Sequence, residues 1–87
     1  MTIYTDGTHL ITDGDLEELH WFARSIRLRR SWFQGPPRHK KPHYDLTTAR
    51  MTATAARSGA RVVTLKETIY ILHRRKAQRE LFAGASL

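Results

Sequence analysis

Apolar positions along this chain follow two rhythms, and the changes between them mark its elements. Thr2-Ile3-Tyr4-Thr5 is β-prone and stops at Asp6-Gly7, a turn pair, which predicts a short first strand. His9-Leu10-Ile11 extends it or forms a second short strand. Leu16, Leu19, Phe22, Ala23 and Ile26 then recur at helical spacing, so a first helix is expected from about 13 to 26, with Thr12-Asp13-Gly14-Asp15 offering its cap. Asp15, Glu17 and Glu18 in the first turn, and Arg24 and Arg27 near the end, suit the helix dipole.

The rhythm breaks after Arg29. Three prolines and a glycine between Ser31 and Pro42 forbid a continuous helix or a central strand, although Trp32-Phe33 fits a short strand. A Pro/Lys-rich loop at 34–43 is long for so small a chain, and reads either as a functional loop or as a disordered excursion. Asp45 stands where the N-cap of a second helix over 46–57 belongs, with Leu46, Ala49, Ala53 and Ala56 on one face. Gly59 marks its left-handed stop, and Ala60 to Thr64 reads as a short buried strand. Thr64 and Glu67 form a capping box for a third helix, about 65 to 80, with Leu65, Ile69 and Leu72 facing inward. Residues 81–87 are expected to be a frayed tail.

This order predicts one α/β domain over residues 1–80, with about three helices and a short, mostly parallel sheet of two or three strands. Ligands of such sheets bind beyond the strand ends, where Asp6, His9 and the loop leading to Asp45 are expected to converge.

Composition narrows the function classes. The 87 residues include no cysteine, which excludes disulfides, thiolate catalysis and Cys-based metal sites. No apolar stretch approaches the roughly 20 residues of a membrane span, and the start lacks the pattern of a signal peptide, so a cytoplasmic protein without membrane contact is expected. The net charge of +7 is unevenly divided. Residues 1–23 carry five acids and no base, whereas all fifteen Lys and Arg follow. That asymmetry fits a phosphate-rich partner, or an acidic N-terminus packed on the chain's own basic surface.

The candidate chemistry is histidine chemistry. His43-Tyr44-Asp45 offers an imidazole, a phenol and a carboxylate together, while His9 and His20 lie beside elements expected to meet it. The plainer reading is a capping Asp45, a packed Tyr44 and a loop-bonded His43. Asp6, His9, His43 and Asp45 could hold a divalent metal such as zinc or manganese, although no H-x-x-x-H or H-E-x-x-H spacing fixes them on one helix. Without a metal, His9, His20, Gln34 and His43 could orient an anion, Arg29, Arg30, Arg38, Lys40 and Lys41 could pair with phosphates, and Trp32 or Tyr44 could stack on a base. Burial of those rings is the competing reading. P-loop and dinucleotide glycine motifs, a G-x-S-x-G elbow and known sequence-reading DNA or RNA motifs are all missing.

Taken in order, Ile3-Tyr4-Thr5-Asp6, His9-Leu10-Ile11-Thr12-Asp13, Leu16-Glu17-Glu18-Leu19-His20, Arg30-Ser31-Trp32-Phe33-Gln34, Pro42-His43-Tyr44-Asp45-Leu46-Thr47 and Gly59-Ala60 resemble a small bacterial and phage family, domain of unknown function 4031. The resemblance spans roughly residues 2–75 and implies a shared site at Asp6, His9, His20, Trp32, Gln34, His43, Tyr44 and Asp45. It brings no activity with it. Arg38-His39-Lys40-Lys41, and Thr5 and Gly7 beside Asp6, depart from the family pattern and weaken the inference of one ligand for every member.

The leading expectation is an accessory module that binds a phosphate-bearing ligand, nucleic acid or nucleotide, at a His-rich edge cleft flanked by bases. The alternatives are a metal-dependent phosphoesterase using the same His/Asp cluster, with His20 exchanging protons, and an adaptor that occupies a host protein. A homo-oligomer is left open.

Overall fold

The computed structural model describes the backbone of residues 2–85 and the side chains of 2–79. Strands β1 (Ile3–Thr5) and β2 (His9–Thr12) form a hairpin with Tyr4 opposite Ile11 and Thr5 opposite Leu10. Its turn is built by Asp6, whose Oδ1 accepts the backbone N–H groups of Thr8 at 2.9 Å and His9 at 2.8 Å. Gly7 takes φ +96°, where a side chain would be strained. Strand β3 (Tyr44–Asp45) adds antiparallel to the outer edge of β2, and β4 (Arg61–Val62) adds parallel to β1, giving the order β3-β2-β1-β4.

The fold is therefore α/β with three α-helices, but the sheet has four strands and only one of its three pairings is parallel. The expected mostly parallel sheet of two or three strands is corrected on both counts. A three-residue connection can join β1 and β2 only as a hairpin. The single parallel pair needs the long crossover that carries a helix.

Helix α1 (Leu16–Ser25) buries Leu19 and Ala23 and half-buries Leu16, Phe22 and Ile26, the stripe read from the sequence. It starts later than expected because Asp13 serves the strands: its carboxylate accepts Thr2 N at 2.9 Å and the Tyr4 hydroxyl at 3.1 Å. The helix closes with Leu28 N bonded to Ala23 O at 2.9 Å and Arg27 N to Arg24 O at 3.0 Å around Arg27 at φ +67°. A 3-10 turn, Arg30–Trp32, stands where Trp32-Phe33 was expected to be a strand. The loop that follows is closed at its base by reciprocal Gln34–His43 backbone bonds of 2.9 Å and contains a cis Pro36–Pro37 bond.

Helix α2 (Ala49–Arg57) is capped by Thr48, whose hydroxyl accepts Met51 N at 3.1 Å. Asp45 is thus a strand residue and not the cap. With the helix beginning at Ala49, the expected face of Ala49, Ala53 and Ala56 is exposed, and Ala55 is buried instead. Gly59 stops the helix as expected, at φ +114°. Arg61 and Val62 are exposed because β4 is an edge strand with one neighbour, which corrects the reading of a buried strand.

Helix α3 (Leu65–Ala85) opens on the expected capping box, with Glu67 N donating to Thr64 Oγ1 at 3.1 Å and Thr64 N to Glu67 Oε1 at 3.4 Å. It turns Thr68, Leu72 and Arg75 inward, while Leu65 and Ile69 are exposed, contrary to expectation. Arg75 is held by Gly14 O, which accepts from its Nε at 2.9 Å. The expected fraying over 81–87 lies outside the residues whose side chains are described, and residues 86–87 outside the described backbone. The core gathers Leu10, Leu19, Ala23, Leu28, Tyr44, Leu46, Ala55 and Ala60. Among the described residues no helix is long and apolar enough to cross a membrane.

Candidate metal centre

Pairing of β2 with β3 sets His9 opposite Asp45, and alternation along β3 puts His43 and Asp45 on one face and Tyr44 on the other. One ligand atom from each of His9, His43 and Asp45 lies within 4.8 Å of the other two. The two imidazole rings stand edge to face with centroids 5.4 Å apart, and His43 Nε2 is 3.3 Å from Asp45 Oδ1.

What surrounds these groups decides which atoms they offer. His9 Nδ1 lies 2.9 Å from Asp6 Oδ2 and 3.2 Å from Oδ1. Burial works to raise the pKa of Asp6, but hydrogen bonds from the His9 ring and from the His9 and Thr8 backbone outweigh it and hold the carboxyl below its ordinary value. An ionised carboxylate only accepts, so the His9 proton resides on Nδ1. His43 Nδ1 donates in the same way to Lys41 O at 2.7 Å. In their neutral form, His9 and His43 would each carry the ring lone pair on Nε2.

In that form His43 Nε2 and Asp45 Oδ1 are two acceptors facing each other. A proton or a cation between them resolves that contact. The second oxygen of Asp45 accepts from Gln34 Nε2, and Gln34 is itself fixed by the loop-closing backbone bonds. All three groups thus have an outer partner that orients them, the arrangement typical around bound metals. Side-chain exposure of 42% at Asp45 and 32% at His9 leaves the centre open on one side.

The family model described as Protein of unknown function (DUF4031) matches residues 5–75. The chain belongs to the DUF4031 family. The match contains the whole centre and its orienting partners. No curated protein and no solved structure matches the chain.

In this DUF4031 domain three of the four expected metal ligands meet. Asp6 does not join them: its side chain, only 2% exposed, sits behind His9 as an orienting base. Aspartate three residues before a histidine across a glycine turn is the sequence signal that could have indicated this role.

His20 also departs from the expected cluster. It lies on the Tyr44 face, its Nδ1 2.8 Å from the Tyr44 hydroxyl and its ring edge-on to Phe33 at 4.6 Å. Burial, then Arg30, lowers the His20 pKa against an opposing pull from Glu17. Burial raises that of Tyr44, with Arg30 opposing. A neutral imidazole accepting from a protonated phenol satisfies both. Tyr44 is 1% exposed and cannot stack on a ligand, which corrects that expectation.

Trp32 is 45% exposed and shares a hollow of about 380 Å³ with Gln34, Asp45 and Thr47, next to the centre. Arg38, Lys40 and Lys41 are exposed on the loop that leads into His43, and the His39 ring lies 6.4 Å from that of His43. Arg29 is exposed, and Arg30 lies over Phe33 with its guanidinium carbon 5.1 Å from the ring centroid.

Proposed function

We propose that this domain binds a divalent first-row cation through His9 Nε2, His43 Nε2 and Asp45, and that it is a metal-dependent phosphoesterase acting on a nucleotide or a nucleic-acid strand. The reading is carried by one observation. The Nδ1 atoms of both imidazoles face fixed oxygens, and one ligand atom from each of His9, His43 and Asp45 lies within 4.8 Å of the other two. Two imidazoles and a carboxylate suit zinc, manganese or iron, and three protein ligands leave positions for water and substrate.

A divalent ion there would supply positive charge to a phosphoryl oxygen and acidify water. The chain's own residues do the rest. Asp6 and the Lys41 carbonyl hold the imidazoles in register, and Gln34 holds Asp45. Arg38 attracts the phosphate, and exposed Trp32 offers a surface for a base beside Asp45. His39 is the remaining imidazole near the centre and the one placed to exchange protons with solvent. His20, bonded to Tyr44 on the other face, is not.

Binding without turnover is the second reading, favoured by the bases beside His43, and it corresponds to an accessory module for phosphate-bearing ligands. Calorimetry with Mn²⁺ and Zn²⁺ tests the centre, with one equivalent expected and none after His43→Ala. Failure of both ions to bind overturns the metal reading. Metal-stimulated cleavage of bis-p-nitrophenyl phosphate distinguishes the enzyme, while salt-sensitive phosphate binding with no cleavage leaves the module.

A further inference from the structure

On the helical side of the domain, α1, the 35–42 loop and α3 enclose a groove of about 660 Å³, within the usual range for small-ligand sites. None of His9, His43 or Asp45 lines it. Its floor is apolar, formed by Leu16, Phe33, Pro42, Ile69 and Leu72, and among the described residues no acid lines it. Arg30, Lys40, Lys41 and Arg79 stand around that floor. Among the described residues, Asp15 and Glu17 line an adjoining depression with Arg30 and Arg79.

An apolar floor ringed by cations fits an anion with an apolar body, and the details specify more. The lining holds six Lys and Arg in all, Arg75 and Lys76 among them, and such a ring suits a dianion better than a single carboxylate. The planar groups at one wall suit a flat ring: the Arg30 guanidinium lies over Phe33, and His20 meets the same ring edge-on. His20 is pinned by its bond to Tyr44, and Phe33 packs against the core, so this wall is set before any ligand arrives.

We infer that the groove is a second ligand site, separate from the His9–His43–Asp45 centre, which takes a nucleoside monophosphate with its base against Phe33 and Arg30 and its phosphate among Lys40, Lys41 and Arg79. Charge complementarity and the preset planar wall carry the assignment, which does not rest on the metal reading.

Calorimetry of the full chain with adenosine 5′-monophosphate, adenosine or inorganic phosphate, in low salt with a chelator present, tests it. The monophosphate is expected to bind at least about tenfold more tightly than either fragment, because both parts of the groove are engaged. Lys40→Gln should weaken it at least about threefold with no change in melting temperature, since that residue is exposed, and Arg30→Gln should weaken it at least as much at the cost of its contact with Phe33. Equal affinity for adenosine or inorganic phosphate overturns the inference, as does indifference to both substitutions. Binding that disappears with the chelator assigns the nucleotide to the metal centre and overturns it too. An oligonucleotide that binds where the monophosphate does not would make the groove part of a nucleic-acid surface and reject the proposed ligand.

Discussion

The tripeptide His43-Tyr44-Asp45 places its side chains on two faces of one short strand, and those faces are built on opposite principles. On one, Tyr44 is enclosed by the core, its hydroxyl paired with His20 and its ring 5.4 Å from that of Phe33. There the Tyr44 hydroxyl and His20 Nδ1 satisfy each other. On the other, His43 and Asp45 are only partly enclosed, and their outer partners leave Nε2 and Oδ1 directed at each other. A closed network stabilises the fold, whereas an open one stores unsatisfied affinity for a ligand. Adjacent residues thus face the core and a solvent-open polar cluster through the two-residue period of a strand.

Substitutions can break this division. Tyr44→Ala should have the largest effect, a loss of about 3–5 kcal/mol in urea unfolding, as for other large core aromatics. Tyr44→Phe, which removes only the hydroxyl bond to His20, should cost about 1 kcal/mol. His43→Ala should do the reverse, lowering Mn²⁺ or Zn²⁺ affinity at least about a hundredfold while stability shifts by under about 1 kcal/mol. Parallel losses of both properties would make His43 structural and erase the contrast.

Smaller effects sharpen it. Asp6→Asn should weaken metal binding by about 10–100-fold without removing a ligand, because only the orientation and basicity of His9 change. An unchanged affinity would show that the turn carboxylate serves only the hairpin. The smallest effect is one of pH on the closed face. His20 has its pKa lowered in the fold from 6.5, so the unfolded chain takes up its proton first as pH falls. The stability that neutral His20 contributes is whole above pH 6.5 and declines from there down through its folded pKa. His20→Gln should therefore lessen the loss of urea stability between pH 7.5 and 5.5. A pH dependence steeper than that of the native chain would contradict a neutral, partly buried His20.

Local features were legible in the chain. The Asp6-Gly7 turn, the α1 stripe, the Gly59 stop and the Thr64–Glu67 box each depend on residues within a turn or two of one another. Errors arose where one residue type serves two local motifs. Asp13 and Asp45 both look like helix caps, yet one staples β1 and the other pairs with His9, so both helices start later than expected. The α3 stripe misled for a related reason: Leu65 and Ile69 are the more apolar pair, but the face that meets the sheet carries Thr68, Leu72 and Arg75. Of the site, His9, His43 and Asp45 were legible as residue types, while the removal of His20 to the opposite face was not.

By itself the sequence determined which groups are available and where the backbone turns, because composition, capping and glycine conformations act over a few residues. It also determined that His43 and Asp45 would share a side wherever they became a strand, since that follows from the period of two. Only the tertiary structure decided that β3 would pair with β2 in the register that brings His9 to Asp45, and that the Lys41 carbonyl and Asp6 would claim the two Nδ1 protons. Those outcomes depend on contacts between distant segments, where register and loop closure, rather than local preference, set which lone pairs meet.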